Sequence, residues 1–552
     1  MSRTSDELQF LAAEFWNWRA ATAPDSGDDL PRLERPPGWA PDWSAGSVAA
    51  RRRRMEQWYE RHRRLDVADE PVSVQVDFRL LGCALDRVHW ELELLRGWQR
   101  NPCFYIDQSL VPVYNLLLVS TPFTASRADD VVRLLHHVPQ VLRQARENLA
   151  DTAAEPFAVS ALRKLEDAGT QLTDAMSALV PYLPAAQAAE LPAAAERAAT
   201  AVGEFADWLR AALAGFHADG AAGSAAMEFL LHRVSLLPYG ADRLREQAKQ
   251  EWTRAVATEA VLRQRLRGHA GTEKQHSAAE QLDLARTQEH EMRRFYRERG
   301  LLGQPESLRH YRFAVCPPYL APLTWLGIPD DLTSPSRAHE DAVRYVPADT
   351  DAELPYFERA AAIDPRTAIV HEGVHAQQLA LSWDHPNPAR RNFYDSVPNE
   401  GIAFYNEELM LISGACDSSP TGTEFIVNAM RLRALRVEID LDLALGVLTV
   451  DEAVGLLCRL VPMDEATAWA EAVFFLGNPG QGLSYQTGKL QLLELLAEAA
   501  GRGGFDLEAF HDRLWREGNT PFALQRWELL GLRDQLDAAD RHAGAAGDGQ
   551  GA

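Results

Sequence analysis

Apolar positions recur at three- and four-residue intervals along most of the chain, the period of helices that bury one face. Residues 5–22 place Leu8, Leu11, Phe15 and Trp16 at this spacing. A Pro-, Gly- and Asp-rich stretch over 23–46 reads as a surface loop, and helices are predicted over 47–66 and 71–99. Asn101-Pro102 is expected to break the second of these, with a further segment from about Asp107. Stretches rich in Ala, Leu, Arg and Glu predict long helices over 128–149, 155–181 and 185–215, followed by 238–267 and 274–298. Near residue 300 the pattern changes. Proline, aromatics and β-branched residues become more frequent over 300–360, and residues 310–315 and 342–346 read as short strands. Helical periodicity resumes at 365 and continues to about 537. The expected organisation is an N-terminal helical half (1–300), a second half (301–540) and a disordered Gly/Ala-rich tail (541–552), the halves forming one integrated unit. The fold class is mainly α with a small sheet, and no internal repeat is present.

The second half contains His371-Glu372-Gly373-Val374-His375. Residues four apart share a helix face, so the two imidazoles can converge on one metal ion, and Glu372 stands beside them as a base. Asp364-Pro365 predicts a helix start and Asp384-His385-Pro386 its end, which puts the motif in mid-helix. A polar connection over 387–396 leads to a second helix opening around Pro398. Glu400, 25 residues after His375, is positioned as the third ligand. An acid in the first turn of a helix is also favoured by the helix dipole whatever its function. Glu407, seven residues on and on the same face, reads equally as a carboxylate holding a ligand histidine or as an ordinary helix acid.

Composition narrows the setting. The 552 residues are 46% hydrophobic and 24% charged, values typical of a globular protein. No apolar run approaches the ~20 residues of a membrane span, and the N-terminus lacks the apolar core of a secretory signal. Five scattered cysteines without a Cys-x-x-Cys pair predict reduced thiols and a cytoplasmic location. The net charge of −23, from 56 basic and 79 acidic residues, disfavours a nucleic-acid partner. The one basic run, Arg51 to Arg54, is expected on the solvated side of a helix.

Several segments resemble, in order, the metallohydrolases grouped as domain of unknown function 885, related to helical zincin peptidases such as angiotensin-converting enzyme and thimet oligopeptidase. These segments are NPCFYIDQSL from Asn101, TAIVHEGVHAQQLAL around the histidines, NEGIAFYNEELM from Asn399, NPGQGLSYQTGKLQLLEL from Asn478 and FHDRLWREGNTPFALQRWEL from Phe510. The resemblance spans most of the chain and is weaker before residue 300. It implies a helical zincin-like fold of gluzincin type, with a deep cleft and one zinc held by His371, His375 and Glu400. It also implies a downstream tyrosine that hydrogen-bonds the oxyanion, here Tyr485; the competing reading is a packed tyrosine serving a backbone group. The Pro479-Gly480-Gln481-Gly482 turn reads either as a close approach to substrate or as a helix break. Departures accompany the matches. The metal-helix block is the compact five-residue form, Ile402 replaces a usual Trp, and Arg436 and Asp440 are kept. A histidine expected soon after them is replaced by Leu443 or Ala444, and an arginine by Phe474; both losses are expected in the substrate site.

The expected function is zinc-dependent hydrolysis of an amide in a short peptide or peptide-like metabolite, with a metal-activated water and Glu372 as general base. Two other readings stand beside it: a non-catalytic binding protein of the same fold, and a biosynthetic metalloenzyme performing deprotection or cyclisation. Manganese or cobalt suits the same ligands. No membrane partner is expected, and the sequence sets no oligomeric state.

Overall fold

A computed structural model describes residues 2–26, 33–268, 277–348 and 354–548. Helices dominate from Arg3–Thr22 onwards, and most fall where the apolar period predicts. The differences have local causes. The single helix expected over 71–99 is Val72–His89, a π-helical turn Trp90–Leu95, and Gly97–Arg100, separated by Arg96 in the left-handed region at φ 52°. Asn101-Pro102 starts a helix there and leaves no gap up to Asp107. The Asn101 side chain accepts from the Cys103 amide at 2.9 Å and Pro102 opens helix α1 (Pro102–Leu118), the favoured first position for proline. The 155–181 segment is two helices, α2 (Glu155–Leu165) and Ala168–Leu179. A short helix, Ser224–Phe229, and a π-helical turn, Leu230–Val234, lie where no element is predicted.

The basic run is solvated only in part, with Arg53 exposed and Arg52 and Arg54 partly so. Arg51 is buried, donates to the Asp42 carbonyl at 2.8 Å and lies over the Trp43 ring, while Arg54 lies over Trp58. The two halves share their apolar cores: one cluster joins Leu8, Val76 and Leu135 to Tyr345, Phe393 and Leu524, and another joins Trp90 and Leu231 to Val437 and Leu483. Of the tail expected to be disordered, residues 541–548 continue the helix Asp534–Asp548, and 549–552 lie outside the described residues. No helix among the described residues is long and apolar enough to cross a membrane.

The sheet has three strands in the order β1 (Tyr311–Val315), β3 (Ala342–Val346), β2 (Asp330–Asp331). β1 and β3 are parallel, with Tyr311 opposite Ala342, and β2 pairs antiparallel, with Asp330 opposite Arg344. The sheet lies against the motif: a Cβ on Gly373 would meet the Tyr311 ring at 3.2 Å.

The motif does not sit in mid-helix. A one-turn helix, Arg366–Ile369, ends before it, and α3 (Glu372–Trp383) begins within it, with His371 at φ −111°, ψ −74°. A side chain from a later helix, α4 (Ser396–Ser413), meets the backbone at this break. Asn406, fully buried, donates to the Val370 carbonyl at 2.8 Å, and the Val374 amide turns instead to the His371 carbonyl at 3.1 Å. This tightens the backbone by one residue and lets both histidines face α4. Beyond it run α5 (Pro420–Ala444), α6 (Glu465–Gly477) and α7 (Gln481–Ala500).

Helices α4 and α7 cross at Gly401 and Gly488. A Cβ on Gly488 would stand 2.0 Å from the Val397 carbonyl oxygen, and one on Gly401 would stand 2.6 Å from Gly488 backbone. Only glycine fits both positions. The crossing sets Glu400, on α4, relative to Tyr485, on α7. Gly488→Ala is expected to cost about 1–3 kcal/mol in denaturant unfolding through backbone displacement. An unchanged midpoint would show that the helices part without cost.

Candidate metal centre

Three buried side chains converge. The Nε2 atoms of His371 and His375 each lie 3.5 Å from Oε2 of Glu400, and the ligand atoms of all three are within 4.8 Å of one another. The imidazole rings stand edge to face, 5.1 Å apart. At 3.5 Å these contacts are longer than an ordinary N–H···O hydrogen bond. Burying a carboxylate and two imidazoles with so little mutual bonding is costly unless something else engages them. Two imidazoles and one carboxylate are a donor set that suits a zinc-like dication, so the residues fit the metal that the motif implies.

The surroundings hold these groups in place. Glu407 lies 2.7 Å from Nδ1 of His371 and accepts from Arg433 at 2.9 Å, and all three are buried. Seven residues along α4 bring Glu400 and Glu407 to the same histidine, one at each ring nitrogen. Glu407 is thus a buried carboxylate shared between His371 and Arg433, not a solvated helix acid. Asn399 donates to Glu400 Oε1 at 3.3 Å and accepts from Asn519. Burial opposes charge throughout, yet the groups sustain one another. Burial presses His371 down, the Glu400 and Glu407 carboxylates press it up, and the net result is upward, to about 9. Burial raises Glu400, and the two histidines pull it well below the carboxylate range. Glu407 is also lowered, burial being outweighed by Arg433 and then His371.

His371 and Glu372 open onto a cavity of about 460 Å³ that is also lined by Arg433, Arg436, Phe474 and Tyr485. Glu372 is partly buried and faces a charged group on the sheet. There the Tyr311 hydroxyl donates to Asp330 at 2.7 Å, and Arg344 lies 3.1 Å from the same carboxylate. Burial pushes Asp330 up to about 6, with Arg344 lowering it and Glu372 raising it. The Tyr485 ring lies nearly parallel to that of His371, at 15° and 6.0 Å between centroids. The Arg433 and Arg436 guanidinium groups stand 5.4 and 4.8 Å from the Tyr485 centroid. Arg436 pairs through both edges with Glu471, one contact being 2.7 Å.

The structure therefore brings His371, Glu372, His375, Glu400 and Tyr485 into one region. Sequence reasoning missed Arg433 as a contributor, and Arg436 carried no role beyond its family match. The available signal was weak: Arg433 and Arg436 stand three apart on α5, a helix that also carries Arg431, Glu424, Glu438, Asp440 and Asp442. The two substituted positions separate. Phe474 lines the cavity, but Leu443 and Ala444 are buried in apolar clusters and line neither this cavity nor the neighbouring one. An imidazole in their place would face the core and not the cavity. The Pro479-Gly480 turn is a helix break between α6 and α7, with Gly480 at φ 95°. Asp440, on α5, caps it by accepting from the Gly480 and Leu483 amides at 3.0 and 2.9 Å. The turn lines the neighbouring cavity, of about 270 Å³.

A second His/Glu group, Glu289, His290 and His310, lies elsewhere. Arg293 stands 3.6 Å from Glu289 and 3.2 Å from His310 Nδ1, so a cation already occupies that donor set, and His290 is exposed.

The family model described as "Bacterial protein of unknown function (DUF885)" matches residues 38–528. Among curated proteins, none matches. Two solved structures share the fold. The "putative lipoprotein of unknown function from Shewanella oneidensis" is 15% identical with a TM-score of 0.70, over 96% of this chain and 100% of that one. The "putative lipoprotein from Colwellia psychrerythraea" is 15% identical with a TM-score of 0.72, over 98% of this chain and 100% of that one.

Proposed function

The chain belongs to the DUF885 family of bacterial proteins of unknown function, and from that premise we propose that it is a zinc-dependent metallohydrolase, a peptidase of gluzincin type acting on short peptides or peptide-like amides. The observation that carries this reading is the convergence of His371, His375 and Glu400, with His371 and Glu372 at the wall of one cavity. His371, His375 and Glu400 hold the metal. Bound zinc supplies Lewis acidity, which polarises a scissile carbonyl and acidifies a water. Glu372 takes the proton from the attacking water and passes it to the departing nitrogen. The water oxygen joins the carbonyl carbon as the C–N bond breaks, leaving a carboxylic acid and an amine. The Tyr485 hydroxyl stabilises charge developing on the carbonyl oxygen, and Arg433 and Arg436, against its ring, fix its position. Glu407 holds the His371 ring in the tautomer that presents Nε2.

The proposal includes a helical zincin-like fold in which this cavity is the floor of a deep cleft that excludes folded proteins. It also includes a cytoplasmic setting, which the free cysteines fit. A second reading, a binding protein of the same fold without turnover, draws on Phe474, which lines the cavity at a position where the family resemblance implies an arginine.

The test is a mixture of short peptides incubated with zinc-loaded protein, with products read by mass spectrometry. Cleavage that 1,10-phenanthroline stops and added zinc restores is expected. Binding without any cleavage across the mixture would support the second reading.

A further inference from the structure

Four cationic side chains line the cavity that reaches His371 and Glu372: Lys164, Arg344, Arg433 and Arg436. Three are already engaged. Arg344 pairs with Asp330 at 3.1 Å, Arg433 with Glu407 at 2.9 Å and Arg436 with Glu471 at 2.7 Å. Lys164, near the end of α2, is different. Among the described residues no hydrogen bond or ion pair holds it, and its neighbours Cys103 and Asp107, both on α1, act on it only through space. Partners are not scarce, since the chain carries 79 acidic residues against 56 basic ones. A lysine left without a contact partner in a partly buried wall keeps the cost of desolvation without the gain of pairing. Burial disfavours its charge, negative charge at Cys103 and Asp107 favours it, and the net direction is upward. The same cavity offers Trp325, Phe357, Phe425 and Phe474 as apolar wall.

On the hydrolase reading above, we propose that Lys164 is a specificity-determining residue that binds a carboxylate of the substrate. The cavity then takes N-acyl amino acids and short peptides with a free carboxylate and an apolar side chain, in preference to neutral amides. One ammonium with three donors matches a singly charged carboxylate. A phosphate dianion needs a second cation, and the other three lining the cavity are committed. In a protein of net charge −23, an anionic substrate is repelled by the surface as a whole. A local cation at the cavity wall is therefore needed for such a substrate to settle beside Glu372.

The probes are N-acetyl-alanyl-phenylalanine and its C-terminal amide, which differ only in that charge. In the zinc-loaded wild type, kcat/KM for the acid should exceed that for the amide by about 10- to 100-fold, the size of one charged hydrogen bond. Lys164→Gln should collapse this ratio toward one, and Lys164→Arg should retain most of it, with circular dichroism checking that both variants fold. A ratio that survives Lys164→Gln, or a wild type without preference, overturns the inference. If neither peptide is cleaved, the hydrolase reading fails separately, and calorimetric binding of the same pair decides the inference. Tighter binding of the acid, lost in Lys164→Gln and kept in Lys164→Arg, upholds it. Equal binding, or no binding of either probe, overturns it.

Discussion

Glu372→Gln is expected to hold zinc as the wild type does while losing about 10²- to 10⁴-fold in amide turnover. The prediction follows from where Glu372 stands. It is next to His371 in sequence but outside the His371–His375–Glu400 group, and it faces the cavity. An amide of the same shape keeps the volume of the side chain but cannot accept a proton. Metal content by mass spectrometry and turnover on any peptide that the wild type cleaves measure the two halves of the prediction. Full activity in the variant would remove the mechanism, because the carboxylates nearest Glu372 are engaged elsewhere: Asp330 pairs with Arg344 and accepts from Tyr311. Glu400 is a proposed ligand, and Glu407 is tied to Arg433.

Replacing Glu407 should be equally damaging for a different reason. Arg433 is 4% exposed, its Nε and Nη1 have no hydrogen-bond partner among the described residues, and its ion pair is with Glu407. Glu407→Ala strands that guanidinium and is expected to lower stability by about 3–5 kcal/mol, read by denaturant unfolding. Glu407→Gln keeps the volume and a hydrogen-bond acceptor but loses the negative charge beside His371. It is expected to fold and to bind zinc about 10- to 100-fold more weakly in competition with a chelating dye. Unchanged zinc affinity in Glu407→Gln would reduce the residue to a structural counter-ion of Arg433.

Much of this region was legible because its chemistry is local. Two histidines four apart, an acid between them and an acid 25 residues later are visible to periodicity alone, as is Glu407 one heptad beyond Glu400. The start of α3 was not legible. Asn406 meets the Val370 carbonyl there from a later helix, and no feature near His371 in the sequence announces that contact. The roles of Arg433 and Lys164 were hidden for the same reason: each is defined by what it faces across elements, a carboxylate in one case and a cavity in the other. The single-residue readings of Leu443 and Ala444 failed because family position does not tell which side of a helix meets the substrate. Asp440, a few residues earlier on α5, points to the Gly480 turn, whereas Leu443 and Ala444 point into apolar packing. The π-helical turns at Trp90–Leu95 and Leu230–Val234 lie outside the 3.6-residue template, so a search for that period divides those segments wrongly.

The central claim is that this chain holds a catalytic metal with His371, His375 and Glu400. The direct measurement is metal content of the purified protein by inductively coupled plasma mass spectrometry, beside His371→Ala, with circular dichroism on both. The account predicts about one zinc per chain in the wild type after dialysis and none in the folded variant. A wild-type protein that holds no metal after zinc is supplied would contradict it, and the binding-protein reading would take its place.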